Sequence, residues 1–185
     1  MRTDHRLAEA LKNMMSEKPL DSISVLSLTK KCKVNRQTFY YYFHDIYDLL
    51  TLVFLDEKIE DIEKSKNFKE MVKCIFSYYD KNKKFIDAAI NSGGKDLAFE
   101  FIYNSCYQST LRYVNEYPES KKLHANDKKA ISRFYASAYS NSLLYYISNY
   151  KHKTLDGIMT SFAFVSDDTL INSINTFIKV RKKDD

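Results

Sequence analysis

Glycine and proline are scarce in this chain, and their scarcity limits the folds that it can adopt. The 185 residues include only 3 glycines and 2 prolines. Tight β-hairpins, phosphate-binding loops and βαβ crossovers need glycine at positions of positive φ or close backbone approach. We therefore expect neither an all-β fold nor a nucleotide-binding α/β fold. Apolar residues instead recur with helical spacing from end to end, which predicts an all-α protein.

Four helices are predicted at the N-terminal end of the chain. Helix one carries a helical apolar stripe and ends before Pro19, which cannot continue a helix. Ser24 is the expected N-cap of a short helix two, and Asn35 is the expected N-cap of a short helix three. Asp45 begins a fourth helix, whose apolar stripe is predicted to run to about Lys64. Two short helices between two longer ones are typical of a helix-turn-helix motif.

The rest of the sequence predicts further amphipathic helices, at roughly 68–82, 84–92, 95–117, 126–150 and 167–180. The segment from Lys151 to Val165 is ambiguous. Helix 126–150 and the last helix carry more apolar positions than one core face requires, which indicates a subunit interface. No uncharged apolar run approaches the ~20 residues of a membrane span. The N-terminus also lacks the apolar core of a signal peptide, so we expect a cytoplasmic protein without a membrane partner.

Positive charge is concentrated near the predicted helix-turn-helix. The formal net charge of the chain is +5. Between Leu28 and Phe43 there are four basic residues and no acidic one; the basic residues are Lys30, Lys31, Lys33 and Arg36. A phosphate-facing surface requires such a local potential, although a charge run is more often a solvated helix face.

The third predicted helix has one apolar edge and one polar, aromatic face. Phe39 and Phe43 are four residues apart, so they should both point inward. The opposite face is then centred on Gln37, Tyr41 and His44, with Thr38 and Tyr40 on its shoulders. This face is rich in hydrogen-bond donors and contains no acid, and a DNA major groove admits a helix of this kind. Packing of Tyr40 and Tyr42 on neighbouring helices is the structural alternative.

These residues resemble the N-terminal helix-turn-helix of the TetR family of transcriptional regulators. The resemblance rests on Ser24-Val25, Leu28, the run from Val34 to Phe43, Asp45 and Leu49-Leu50, and it covers about residues 3–50. The remainder of the chain resembles the family only in being helical and of suitable length. The resemblance implies a DNA-binding domain at residues 1–46 and a helical effector-binding and dimerisation domain at residues 47–185. It further implies a homodimer that binds a palindromic double-stranded operator.

The resemblance also implies which residues contact DNA: Ser24, Arg36, Gln37, Thr38, Tyr40, Tyr41 and Tyr42. We assign base contacts to Gln37 and Arg36, and phosphate contacts to Tyr40 and Thr38. Three positions depart from the family pattern. Lys33 replaces a turn glycine and is expected to be left-handed or to change the turn. Ile46 replaces a phosphate-contacting lysine, which predicts a shallower salt dependence, and Leu26 replaces a polar, DNA-facing residue.

Two functional hypotheses follow from the resemblance and its departures. The first is a sequence-specific regulator, expected to be a repressor controlled by a small-molecule or protein effector. The second is a helical interaction protein that acts through a partner regulator and reads no DNA. The run from Arg36 to Phe43 and the turn without glycine are similar to a branch that includes regulators associated with dihydroxyacetone kinase operons, some of which act through a partner protein.

Aromatic residues are dense beyond the helix-turn-helix, where they could line an apolar effector pocket or fill a core. The candidate pocket residues are Phe76, Tyr79, Phe99, Tyr103, Cys106, Tyr107, Phe134 and Tyr135. The three cysteines and four histidines show no ligand spacing, so we expect neither a metal nor a cofactor. No grouping of nucleophile, base and orienting residue indicates an enzyme.

Overall fold

The secondary structure is helical throughout the part of the chain that the computed structural model describes, residues 2–150, 154–162 and 167–184. The helices there are α1 (Thr3–Met15), α2 (Val25–Lys31), α3 (Arg36–Tyr42), α4 (Ile46–Asp56), α5 (Phe68–Lys81), α6 (Lys83–Ile90), α7 (Lys95–Glu116), α8 (Ala125–Asn149), α9 (Leu155–Ser161) and α10 (Asp167–Asp184). Short 3₁₀ turns precede α2, α5 and α8. No β-strand occurs among these residues, which confirms the all-α prediction.

Helix α4 is shorter than the sequence predicts. It ends at Asp56 and not near Lys64, and Glu57 already has an extended backbone. The Glu57 carboxylate accepts a hydrogen bond from Lys12 on α1 at 2.6 Å, which holds the chain where it leaves the helix. The predicted end was therefore wrong, because the apolar stripe does not encode this contact with a distant helix.

The chain divides into two compact units. One comprises Met1–Lys58 and Tyr79–Phe101, and the other comprises Ile59–Tyr78 and Ile102–Asp185. The functional boundary expected at residue 46 stays a prediction. None of the described helices is long and apolar enough to cross a membrane.

In the first unit, α1 packs against α2, α4 and α6, and α2 packs against α3. The fully buried side chains at its centre include Leu7, Leu11, Leu28, Phe39 and Leu49. The ring of Phe54 on α4 lies 5.3 Å from that of Phe85 and 5.6 Å from that of Phe101. These contacts fix the short helices α2 and α3, which are too short to be stable in isolation.

In the second unit, polar side chains hold the segment before α5. The Arg112 guanidinium donates to the carbonyl oxygens of Ile62 and Ser65 at 3.0 and 2.7 Å, and the Tyr113 hydroxyl donates to the Asn67 carbonyl at 3.0 Å. These hydrogen bonds tie the segment from Ile62 to Asn67 to α7.

Helix α10 packs against α8 and the 3₁₀ turn Pro118–Lys122 within the second unit. The Arg181 guanidinium bonds to both carboxylate oxygens of the buried Asp127, and the Tyr135 hydroxyl donates to the Thr169 carbonyl at 2.8 Å. These polar contacts fix the register of α10 along α8.

Candidate nucleic-acid interface

Helix α2 begins at a reciprocal cap formed by two serines. The Ser24 hydroxyl accepts from the Ser27 backbone N–H at 3.1 Å, and the Ser24 N–H donates to the Ser27 hydroxyl at the same distance. The N-cap prediction for Ser24 is confirmed. Ser27 was not predicted as a partner of this cap, although the three-residue spacing of a capping box indicates it. Leu26, two residues after Ser24, leaves 62% of its surface exposed, whereas Val25 is half-buried.

The turn between α2 and α3 contains a left-handed lysine. Lys33 has φ of 52°, which confirms the expectation for a residue that replaces glycine. Its N–H donates to the Lys30 carbonyl at 3.2 Å, and the Val34 N–H donates to the Thr29 carbonyl at 3.0 Å. This pair of bonds defines a Schellman C-cap. The turn therefore keeps the geometry that glycine would give it, at the cost of backbone strain.

Asn35 positions the start of α3. Its side-chain oxygen accepts from the Thr38 backbone N–H at 2.7 Å and from the Thr38 hydroxyl at 2.9 Å. Phe39 is fully buried and Phe43 nearly so, which confirms the predicted inward edge. Because both ends of that edge are anchored, the opposite face of α3 is held outward.

The outward face of α3 is aromatic and polar. Gln37 and Tyr41 are exposed, and Tyr41 leaves 80% of its surface free. Tyr40 and Tyr42 are roughly half exposed, so each packs part of its ring and leaves the rest accessible. The Arg36 guanidinium lies 5.8 Å from the centre of the Tyr40 ring and approaches the Tyr40 hydroxyl at 3.4 Å. The face therefore presents hydrogen-bonding groups and ring surface, with one cation near its edge.

The exposed lysines of α2 and the turn add positive charge beside this face. Lys30, Lys31 and Lys33 are all exposed. Lys31 is 3.8 Å from the Glu17 carboxylate, an exposed pair whose interaction solvent and salt weaken. No carboxylate lies between Lys30 and His44 in the sequence. The lysine cluster can therefore attract the phosphates of a polyanion, and no neighbouring carboxylate in this run repels them.

A three-residue connection joins α3 to α4. The Asp45 carboxylate accepts from the backbone N–H groups of Tyr47 and Asp48 at 2.8 Å, which confirms Asp45 as the N-cap of α4. The Asp48 carboxylate in turn accepts from the His44 N–H at 3.0 Å. Ile46, at the position where the family has a lysine, is half-buried.

Two glycines approach α4 closely. A Cβ atom on Gly93 would lie 2.8 Å from the Tyr47 hydroxyl, and one on Gly94 would lie 2.6 Å from a Leu50 methyl carbon. Neither glycine has a positive φ. The pair interrupts the helical pattern in the sequence, and in the structure the missing side chains of both glycines permit contact with α4.

A second exposed surface lies on α8 and α10. Phe134 leaves 70% of its surface exposed, and Tyr145, Phe177 and Val180 are also exposed. A groove of about 580 Å³ between the two helices is lined by Ala130, Ile131, Phe134, Tyr135, Thr169, Asn172, Ser173, Thr176 and Phe177. This exposure confirms the surplus of apolar positions that the sequence predicts.

The eight candidate effector-pocket residues are in different environments. Phe76, Tyr79, Cys106 and Tyr135 are buried, Phe99, Tyr103 and Tyr107 are half-buried, and Phe134 is exposed. Tyr79 and Phe99 belong to the first compact unit and the other six to the second. Of the eight, Phe134 and Tyr135 line the groove between α8 and α10.

The cysteines and histidines within the described part of the chain form no reactive or metal-binding cluster. Burial raises the pKa of the Cys32, Cys74 and Cys106 thiols, which disfavours the reactive thiolate. No group of three potential metal ligands occurs among the described residues. His152, one of the four histidines considered from the sequence, lies outside them.

A family model described as "Transcriptional regulator C-terminal region", TetR_C_8, matches residues 66–165, which is more than half of the chain. The chain belongs to the TetR family of transcriptional regulators. The family model matches a region C-terminal to the helix-turn-helix motif at residues 3–50. The motif and the matched region together span most of this TetR-family regulator.

A solved structure, that of the dihydroxyacetone kinase operon activator DhaS, has the same fold as this TetR-family chain. The two superpose with a TM-score of 0.57 at 20% sequence identity, over 96% of this chain and 97% of the other. At this identity the similarity establishes the fold alone. A comparison with curated protein sequences finds no match.

Proposed function

We propose that this TetR-family regulator binds DNA sequence-specifically through residues 1–46. The observation that carries the proposal is the outward face of α3, which is held exposed by the buried Phe39 and Phe43 and contains no acid. A helix of this kind, the second of a helix-turn-helix pair, fits the width of a major groove. The exposed lysines beside it supply attraction to phosphate that does not depend on sequence.

Individual contacts are assigned by chemistry and exposure. Gln37 and Arg36 are proposed to contact base edges, since both are exposed near the N-terminus of α3. Tyr40 is proposed to anchor a phosphate through its hydroxyl. Thr38 is less available for that role, because its hydroxyl already donates to Asn35 at 2.9 Å. Ser24, Tyr41 and Tyr42 complete the proposed surface.

The chain is further proposed to act as a homodimer through α8 and α10. The exposed Phe134, Tyr145 and Phe177 form an apolar surface of the kind that subunit interfaces cover. A two-fold dimer would present two copies of α3 to successive major grooves about 34–36 Å apart on a palindrome. Phe134→Glu should convert the dimer to monomers in analytical ultracentrifugation, whereas Glu at the equally exposed Leu55 on α4 should not.

Control by an effector completes the proposal, with repression as the expected response. Residues 47–185 would bind a small molecule or a protein as the effector. Effector binding would shift the population between states in which the two N-terminal modules are spaced differently. Such a shift requires that the effector bind the two states with different affinity.

A fluorescence titration with palindromic duplexes from near the gene tests DNA recognition. Gln37→Ala should reduce the preference for one duplex over a scrambled one by roughly tenfold while leaving salt-dependent binding to both. Gln108→Ala is the matched control, because Gln108 is exposed on α7 in the second compact unit. Equal effects of the two substitutions would contradict the proposal.

The alternative function, an interaction protein without DNA readout, is favoured by the exposure of Leu26. A large apolar side chain there suits a protein partner better than a phosphate backbone. If neither wild type nor Gln37→Ala binds any duplex at low salt, this alternative replaces the first.

A further inference from the structure

Gln37 and Tyr41 form a strip along the centre of the outward face of α3. They are four residues apart on a helix, so their Cβ atoms lie about 6 Å from each other. Both are exposed, and Tyr41 is the most exposed of the large hydrophobic side chains of the described residues. The Tyr41 ring packs edge-on against Tyr42 at 4.9 Å, which limits its freedom while leaving its outer face accessible. A molecule that docks on the outward face of α3 would therefore contact this strip.

The chemistry of the strip selects among the four base pairs. A Gln side chain pairs in a bidentate manner with N6 and N7 of adenine, whereas an apolar surface in the major groove finds only the thymine methyl group to contact. Direct readout of cytosine uses a carboxylate, and α3 has none. Direct readout of guanine uses Arg or Lys, and the single cation of α3, Arg36, lies against Tyr40 beside the strip.

We infer that the base pairs beneath this strip are A·T pairs, with an adenine bonded by the Gln37 amide and a thymine methyl packed on the Tyr41 ring. Because base pairs are stacked about 3.4 Å apart, the two contacts fall within about two steps of each other. The inference rests on the proposed DNA-binding function and adds the identity of the bases at the centre of each half-site.

Modified bases test each contact separately. The operator is first selected by the purified full-length chain from a randomised duplex pool, and the selected half-site is expected to contain A·T pairs at its centre. Replacing each central thymine by uracil removes only the methyl group, which should weaken binding about fourfold per half-site. Replacing the central adenine by 7-deazaadenine removes only the N7 acceptor, which should weaken binding by roughly tenfold.

Protein variants identify the side chain on the other side of each contact. In Tyr41→Ala, uracil and thymine duplexes should bind equally, whereas Tyr41→Phe should keep the fourfold difference because it keeps the ring. In Gln37→Ala, the 7-deazaadenine penalty should disappear. Tyr41 is so exposed that its replacement should not disturb folding, which circular dichroism of each variant verifies.

Three outcomes would overturn the inference while leaving DNA recognition intact. These are a selected site with G·C pairs at its centre, equal binding of uracil and thymine duplexes by wild type, and a uracil penalty that persists in Tyr41→Ala. A pool that yields no preferred sequence would instead refute the proposed sequence-specific function, so the two failures are distinguishable.

Discussion

Replacing Lys33 by glycine should stabilise the helix-turn-helix. Lys33 is held at φ of 52° in the Schellman turn between α2 and α3. The left-handed conformation costs an L-residue about 1–2 kcal/mol. Glycine is more flexible than lysine in the unfolded chain, which lowers the stability gained by removing this strain by about 0.5–1 kcal/mol. The midpoints of these two ranges leave a net gain of about 0.75 kcal/mol, or about 1.5–3 °C in Tm for a chain of this size.

The measurement is thermal and urea unfolding of the DNA-free chain, followed by circular dichroism. Lys33→Ala is the matched control, because it removes the same charge but keeps the left-handed strain. The loss of a cation near the C-terminus of α2 affects both variants equally. The difference between the two midpoints therefore isolates the backbone contribution.

Equal stability of the glycine and alanine variants would refute the strain argument, because it would mean that the turn relaxes without cost. DNA binding supplies an independent check on the charge. Both variants should reduce the slope of log affinity against log salt concentration by about 1 if Lys33 contacts a phosphate.

Substitutions at three further positions test other contacts. Hydrogen bonds from the Arg181 guanidinium hold the pKa of Asp127 below its usual value; this stabilisation is present above the unfolded pKa of about 3.9 and is lost as pH falls through the depressed value. The stability difference between wild type and Asp127→Asn, measured in urea, should therefore narrow on acidification. Gly94→Ala should cost about 1–3 kcal/mol, since its Cβ would overlap the fully buried Leu50; an unchanged urea midpoint would contradict this packing. Asn35→Ala should cost about 1 kcal/mol through the lost cap of α3, whereas Asn35→Asp should keep the stability and weaken DNA binding in a titration.

Local signals predicted the N-terminal helices well. Ser24, Asn35 and Asp45 cap α2, α3 and α4 as their sequence positions indicate, and each cap depends on residues no more than three positions away. The later helices match the predicted ranges to within about two residues at most ends, the last helix excepted, which extends to Asp184. Periodicity suffices where a helix has one apolar stripe and a clear break.

Long-range contacts explain what the sequence did not predict. The end of α4 depends on Lys12, which is 45 residues away from its partner. The close approach of Gly93 and Gly94 to α4 spans a similar separation, and no local pattern encodes it. Many aromatic residues beyond α4 are expected both for the lining of a pocket and for a filled core. The sequence could therefore not separate these two possibilities.

The short connection between α3 and α4 has a consequence for regulation. Phe43 at the end of α3 is buried, the Asp45 carboxylate binds N–H groups at the start of α4, and the Asp48 carboxylate binds the His44 N–H within the connection. Each of the three residues between the two helices is therefore held in place. Under the proposed effector control, a displacement of α4 would reach α3 through this short connection, and gene control would depend on the angle at which the DNA-binding domain meets the double helix.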